Sequence, residues 1–119
     1  MSTRTEEAAG LRLDDRLTRE IVRRVLSVAQ PDRVIVFGSA AAGTMTKDSD
    51  VDLLVLESGE LGFRSEASHI RDSLSGLGLP FDVIVMSTER FEETKGVIGG
   101  LAYPAAKYGK TLYEAGRGS

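Results

Sequence analysis

The chain has 119 residues, of which 41% are hydrophobic and 28% charged, and it contains no cysteine. These values are typical of one soluble globular domain and exclude disordered chains, disulfide scaffolds and thiolate metal sites. The formal net charge of −3 disfavours an extended nucleic-acid groove, which needs a basic surface. The polar first ten residues lack the apolar core of a signal peptide, and no apolar run is long enough to span a bilayer. We therefore expect a cytoplasmic protein with no membrane association.

Residue patterns predict three segments: a flexible lead at 1–10, a folded domain at 11–115 and a disordered tail at 116–119. Within the domain, helical spacing and short β-branched runs predict alternating helices and strands. The predicted elements of the first half are a helix from Asp14 or Asp15 to about Gln30, a strand at 33–37, a helical turn at 40–43 and a strand at 51–56.

The second half continues the same alternation. It begins with a predicted helix that stops at Gly76 and Gly78 and carries on one face Phe63, Ala67, Ile70, Leu74 and Leu77. A strand at 81–86 and a helix from Ser87 or Thr88 to about Lys95 follow. The last predicted elements are a short helix with Pro104 in its first turn that ends at Gly109, and an extended segment at 111–113. The connection between the first two strands is short for a parallel crossover. We therefore predict an α/β (α+β) fold with a small mixed β-sheet flanked by helices.

Two carboxylates stand at the start of the second predicted strand. Asp50 and Asp52 are two residues apart, so both side chains point to the same face of the sheet. Two such charges repel each other unless a cation neutralises them. Mg²⁺ prefers oxygen ligands and commonly shares its shell with substrate phosphates, so the pair is a candidate Mg²⁺ site.

A third carboxylate lies in the predicted strand FDVIVM. Asp82 has apolar neighbours there, and we expect this strand to be buried on both faces, where an ionised Asp is costly unless it is paired or metal-bound. If this strand lies beside the preceding one, Asp82 meets Asp50 and Asp52. Three carboxylates can then hold one or two Mg²⁺ ions that orient a triphosphate for attack by a hydroxyl.

Gly38 and Ser39 follow the first predicted strand directly. A glycine at this point lets the backbone approach a phosphate without a Cβ in the way. The serine supplies a hydroxyl and an N–H group at the start of the next turn, which is an anion-binding arrangement. The pair is therefore a candidate phosphate site.

Each of these features also has a simpler interpretation. Gly-Ser after a strand is most often an ordinary turn. The Asp pair at 50 and 52 also suits solvated residues at the start of a strand. Asp82 also suits a loop cap or an ion pair with Arg33. The combined spacing is far more specific than any one of its parts.

At these residues the sequence resembles the minimal nucleotidyltransferases of the DNA polymerase beta superfamily. Their signature is Gly-Ser, a ten-residue spacer, Asp-x-Asp and a third Asp on a later strand, and the resemblance extends over residues 14–114. It implies a small mixed sheet with helices and the Mg²⁺-dependent transfer of a nucleoside monophosphate, AMP from ATP, to an acceptor hydroxyl.

The resemblance also implies a role for each matching residue. Asp50 and Asp52 bind metal, Asp82 binds metal and helps to deprotonate the acceptor, and Gly38 and Ser39 hold the phosphates. Many minimal members resemble antitoxins that pair with a HEPN-domain RNase toxin, and some are implicated in transferring AMP to a toxin tyrosine. The implied partner is therefore a HEPN-type toxin encoded nearby, and self-association as a homo-oligomer stays open.

One departure from the family pattern is in the loop after the Gly-Ser pair. Ala40 and Ala42 stand where family loops often carry arginines, whose guanidinium groups neutralise phosphate charge. The candidate substitutes are Lys47, Arg64, Lys107 and Lys110, and we assign Lys47 to nucleotide binding. This departure keeps two alternatives open: an antitoxin that neutralises its toxin by complex formation alone, and a transferase for a small molecule such as an aminoglycoside.

Overall fold

The computed structural model describes residues 14–43, 49–58 and 63–116, with the backbone alone at residues 63 and 64. The predicted lead at 1–10, Lys47 and the last three residues of the predicted tail lie outside these ranges. The helices are α1 (Asp15–Val28), α2 (Ser39–Ala42), α3 (Phe63–Ser73), α4 (Thr88–Thr94) and α5 (Ala102–Tyr108). The strands are β1 (Arg33–Phe37), β2 (Val51–Glu57), β3 (Phe81–Ser87) and β4 (Lys110–Glu114).

The four strands form one mixed sheet in the order β3-β2-β1-β4. Strand β1 is antiparallel to both of its neighbours, β2 and β4, whereas β2 and β3 are parallel. The short β1–β2 connection favours antiparallel pairing, and α3 provides the crossover that a parallel β2–β3 pair requires. The predicted mixed sheet is therefore confirmed, and the predicted extended segment at 111–113 belongs to its edge strand β4.

Helices cover both faces of this sheet. On one face, which we call the first face, α1 and α3 pack through Ile21 and Ile70 against alternate strand residues such as Leu53. On the second face, α4 and α5 contribute Phe91 and Ala105 to a separate core with the remaining alternate residues. No helix in the described part of the chain is long and apolar enough to cross a membrane.

Side-chain caps begin two of the helices at the predicted positions. The Asp14 carboxylate accepts a hydrogen bond from the backbone N–H of Leu17 at 2.8 Å, and the Ser87 hydroxyl accepts one from the N–H of Arg90 at 3.0 Å. Each cap satisfies a donor that has no acceptor within its own helix. At the C-terminal end of the chain, Gly109 follows α5 as predicted.

Helix α3 ends earlier than its apolar spacing predicts. The spacing extends to Leu74 and Leu77, but the helix stops at Ser73. The backbone N–H groups of Leu74 and Ser75 bond to carbonyls three residues back, which tightens the chain into turns. Leu74 is nevertheless buried, so it contributes to the core from the turn that follows the helix.

The expectation that the strand FDVIVM is buried on both faces is wrong. Among the described residues, strand β3 lies at the edge of the sheet and pairs with β2. Only Val83 and Met86 of this strand are buried, and Asp82 is exposed. Water therefore reaches the Asp82 carboxylate directly.

Candidate active site

The strand register brings the predicted carboxylates together at one end of the sheet. Asp52 lies beside Phe37 of β1 on one side and directly beside Asp82 of β3 on the other. Asp50 precedes β2 by one residue. Since alternate residues of a strand share a face, the Asp50 and Asp52 side chains point to the face of Leu54, which lies in the core of the second face. The site therefore occupies the end of the second face.

Asp52 is the carboxylate of this group whose pKa both neighbouring carboxylates influence. It is half-buried, whereas Asp50 and Asp82 are exposed. Burial raises the pKa of the Asp52 carboxyl group, and the negative charges of Asp82 and then Asp50 raise it further. The three carboxylates therefore lie close enough to influence one another, and a bound cation would relieve their repulsion.

Gly38 forms the wall of the site next to Asp52. Its backbone has φ +73° and ψ −150°, a conformation that side chains rarely adopt. A Cβ placed at this position would overlap Oδ2 of Asp52. The sequence therefore needs glycine here for two reasons, the backbone conformation and the close approach of the carboxylate.

Ser39 begins α2 immediately beyond this contact and is half-buried. The carbonyl oxygen of Gly38 accepts the first bond of this helical turn, from the N–H of Ala42 at 3.1 Å. N–H groups at the start of such a turn have no acceptor within it and are available to an anion. The Gly-Ser pair and the carboxylates thus border the same end of the sheet, as the sequence predicts.

The donor chemistry of the site fits a divalent cation. Three carboxylates on neighbouring chain segments offer the oxygen ligands that Mg²⁺ prefers, and their mutual repulsion favours a bound positive charge. Within residues 14–43, 49–58 and 63–116, no group of three His, Cys, Asp or Glu side chains is already arranged to hold a metal ion. The carboxylates are therefore neighbours that still need to turn toward one point.

The two alanines at the family's arginine positions lie in different surroundings. Ala40 is buried, with 7% of its surface exposed, and belongs to the core of the first face. Ala42 is exposed at the last position of α2. Of the two positions, only 42 therefore has open space for a long cationic side chain without a change in the core.

The structure separates the four candidate substitutes for those arginines. Lys47 and the Arg64 side chain lie outside the described part of the chain. The ammonium group of Lys107 lies 5.8 Å from the ring centre of Tyr108. Lys110 pairs with Val36 in the sheet and lines a cavity of about 210 Å³ together with Ala40 and Gly43. Lys110 therefore borders α2, but it does so from the first face, whereas the carboxylates lie on the second.

The alternative ion pair between Asp82 and Arg33 is wrong. Arg33 lies at the other end of the sheet, where its Nη2 donates to the Thr111 hydroxyl at 2.9 Å. Its guanidinium carbon lies 5.5 Å from the ring centre of Phe91. Asp82 is therefore not neutralised by this arginine.

Sequence reasoning missed one buried carboxylate, that of Glu57 at the far end of β2. Only 3% of its surface is exposed. The sequence could have indicated this burial, because Glu57 ends an apolar run. The alternation of side chains along a strand places it on the same face as Leu53 and Val55. An acidic residue on that face lies beneath helices rather than in water.

The comparisons with known proteins agree with this fold. A family model described as the nucleotidyltransferase domain matches residues 16–102, so the chain belongs to the nucleotidyltransferase domain family. This match includes Gly38, Ser39, Asp50, Asp52 and Asp82. A search of the curated proteins finds no match.

Three solved structures are similar to this chain. A toxin–antitoxin complex with AMP-PNP matches with a TM-score of 0.61 at 20% identity, over 83% of this chain and 74% of that chain. A mutant of the toxin–antitoxin pair MntA–HpeT matches with a TM-score of 0.60 at 18% identity, over 83% and 74% of the two chains. A protein assigned as a nucleotidyltransferase from Sulfolobus solfataricus matches with a TM-score of 0.59 at 22% identity, over 86% and 81%. These likenesses confirm the predicted nucleotidyltransferase fold.

Proposed function

We propose that this protein transfers AMP from ATP to the hydroxyl of a tyrosine in a HEPN-type toxin and thereby acts as an antitoxin. The observation that carries the proposal is the direct pairing of Asp52 with Asp82, with Asp52 held against the backbone of Gly38, in a member of the nucleotidyltransferase family. A nucleotidyl transfer needs carboxylates and a phosphate-binding turn close together, and these residues meet that need.

In this proposal each group has a chemical role. Asp50, Asp52 and Asp82 hold Mg²⁺, which when bound neutralises the triphosphate and makes the acceptor hydroxyl easier to deprotonate. Ser39 and the backbone beside it bind the phosphates. The acceptor oxygen forms a bond to the α-phosphorus of ATP while the bond between that phosphorus and the bridging oxygen to the β-phosphate breaks. Pyrophosphate leaves, and the acceptor proton passes to the Asp82 carboxylate, which is exposed and accessible to an acceptor.

A protein acceptor is supported by the open position of the site. In the part of the chain that the structure describes, Asp82 lies on an edge strand of the sheet. The similar structures include two toxin–antitoxin proteins, one of them with the ATP analogue AMP-PNP. A partner that docks on this side would supply the tyrosine and also exclude water from the reacting phosphate.

The test combines the purified chain, Mg²⁺, ATP labelled on its α-phosphate and the protein product of the neighbouring gene. We expect label on a tyrosine of that protein, identified by mass spectrometry. The double variant Asp50→Asn with Asp52→Asn should abolish labelling, whereas Asp72→Asn, which neutralises an exposed carboxylate on α3, should not. Label that persists in the double variant, or that appears only on an added aminoglycoside, would reject the proposed acceptor or mechanism.

A second candidate function, neutralisation by complex formation alone, is favoured by the loop after the Gly-Ser pair. Ala40 and Ala42 offer no charge to the phosphates, and Lys110 borders the loop from the opposite face. Under this alternative, the Asp50→Asn and Asp52→Asn double variant binds and neutralises the toxin as well as the unmodified chain does. Loss of neutralisation with retained binding would instead support catalysis.

A further inference from the structure

A cavity opens at the end of β2 opposite the candidate active site. Its volume is about 530 Å³, and it is lined by residues 26–30 at the end of α1, by Glu57 and Ser58, and by Glu66 of α3. Glu57 follows Asp52 by five residues, which corresponds to roughly 17 Å along a strand. The two carboxylates also point to opposite faces of the sheet. This cavity is therefore separate from the candidate active site.

Glu57 is buried in this cavity without a complete set of hydrogen bonds. It is 3% exposed, and its Oε2 is buried and has no hydrogen-bond partner. A buried acceptor without a donor is rare in folded proteins because it has lost water and gained nothing in return. The cavity therefore presents an oxygen that is ready to accept a hydrogen bond from a bound donor.

The two arginines of α1 that lie nearest in sequence to this cavity already have other partners. Arg23 and Arg24 on α1 both form ion pairs with Glu20. Arg24 also donates to the backbone carbonyls of Ser73 and Ser75. These two guanidinium groups therefore do not neutralise Glu57.

The groups that face Glu57 are acidic. Burial raises the pKa of Glu57, and the Glu66 carboxyl, which shares a hydrogen bond with it, and the Asp32 charge add to this effect, so that the pKa reaches about 7. Asp32 itself accepts hydrogen bonds from the hydroxyls of Ser58 at 2.5 Å and Thr88 at 2.6 Å. Near neutral pH this pocket therefore holds either a proton or a positive charge from outside.

We propose that this pocket binds an organic cation, namely an ammonium or guanidinium group on an aliphatic stem. The Oε2 atom of Glu57 accepts the charge-assisted hydrogen bond, and Leu26 and Val28, which are 39% and 44% exposed, provide apolar surface for the stem. The volume of about 530 Å³ accommodates a group of this size.

The experiment is a titration of the full chain with agmatine, which carries a guanidinium group on a four-carbon stem. Binding is measured from the changes in the NMR chemical shifts of the backbone amides. We expect saturable shifts at residues 26–30, 57 and 58, with a dissociation constant on the order of 1 mM. Glu57→Gln removes the charge at nearly constant volume, and it should weaken binding at least tenfold. The matched control is Glu93→Gln on the exposed face of α4, which should leave binding unchanged.

Proton competition provides an independent readout. Because a cation replaces the proton on Glu57, the affinity of the unmodified chain should increase between pH 6 and pH 8, whereas that of Glu57→Gln should not. Equal shifts in both proteins would show non-specific attraction to an acidic surface and would overturn the proposal. So would the absence of any shift up to about 20 mM agmatine.

Two further arms distinguish the source of the cation. A capped tripeptide with a central arginine represents a side chain from another protein, and putrescine represents a free amine. Binding of the tripeptide as tight as that of agmatine assigns the pocket to a partner's side chain. Binding of agmatine and putrescine without the tripeptide assigns it to a small molecule, and both results support an organic-cation site.

Discussion

The two ends of strand β2 both carry a carboxylate whose pKa is raised, but they differ in their surroundings. Asp52, at one end, is half-buried on the second face, between a glycine turn and the exposed Asp50 and Asp82. Glu57, at the other end, is buried on the first face beneath α1 and α3. Glu57 follows Asp52 by five positions, an odd number, so the alternation of strand residues places the two side chains on opposite faces.

This difference shows how one strand can support two kinds of acidic site. At the Asp52 end, water solvates the neighbouring carboxylates, so several negative charges coexist until a cation arrives. At the Glu57 end, burial and the neighbouring acidic groups raise the pKa of the carboxyl group to about 7, so that its protonated and ionised forms are both populated near neutral pH. The surroundings of each carboxyl group therefore decide how strongly its ionisation is opposed.

The largest expected effect is on catalysis at the Asp52 end of β2. Asp52→Asn should reduce AMP transfer by at least about 10³-fold, because the site loses the carboxylate at its centre. The same change should not lower the midpoint of thermal unfolding, since the raised pKa shows that ionised Asp52 opposes folding. Transfer rates and calorimetry on the same preparation check both statements. A parallel fall in activity and stability would indicate a structural role instead.

The next effect concerns the glycine that makes room for Asp52. Gly38 and Gly43 both have positive φ, but a Cβ would meet Asp52 at the first position and nothing within 4 Å at the second. Gly43→Ala lies in the left-handed helical region and should cost about 1–2 kcal/mol, whereas Gly38→Ala should cost more, because its φ of +73° and ψ of −150° suit glycine almost exclusively and the overlap with Asp52 adds about 1–3 kcal/mol.

Urea unfolding of the two variants measures this difference. In an Asp52→Ala background the overlap disappears, so the cost of Gly38→Ala should fall by about 1–3 kcal/mol, whereas the cost of Gly43→Ala should stay the same. An unchanged cost of Gly38→Ala in that background would show that Asp52 does not rest against this backbone.

At the buried end, the pH dependence of stability should follow Glu57. Its folded-state pKa of about 7 lies above the ordinary glutamate value of 4.5, so its favourable contribution to stability is full below pH 4.5 and is lost as pH rises to 7. Relative to Glu57→Gln, the unmodified chain should therefore lose about 2–3 kcal/mol of unfolding free energy between pH 4.5 and pH 8. Urea titrations across this range, with Glu93→Gln as control, check the sign. A constant difference would mean that Glu57 ionises normally.

The smallest expected effect is a gain in ATP affinity at the active-site end of β2. Ala42 is exposed, so Ala42→Arg can extend a guanidinium group from α2 toward bound phosphate without disturbing the core. We expect ATP to bind up to about tenfold more tightly in the presence of Mg²⁺. Calorimetric titration measures this, and Ala115→Arg, which adds the same charge beyond the end of β4, should have no effect. Equal gains from both variants would indicate only a general charge effect.

Much of the fold was predictable because local rules and tertiary contacts agree in most elements. The caps at Asp14 and Ser87, the stop at Gly109 and the mixed sheet all follow from residue types and connection lengths. Helix α3 is the exception, since its apolar spacing continues through Leu74 although the backbone has already tightened into turns. Apolar spacing marks what is buried and does not by itself mark where a helix ends.

The chemistry-bearing residues were also chosen from the sequence, because Gly38, Ser39 and the three aspartates form a spacing that ordinary turns and solvated strands seldom produce together. Only the tertiary structure decided their environments. Asp82 proved to be exposed because strand order made β3 an edge, and no pattern within FDVIVM specifies its neighbours. Glu57 proved to be buried because α1 and α3 cover that face. A sequence states which groups are present and how they alternate, whereas water access depends on which elements pack over them.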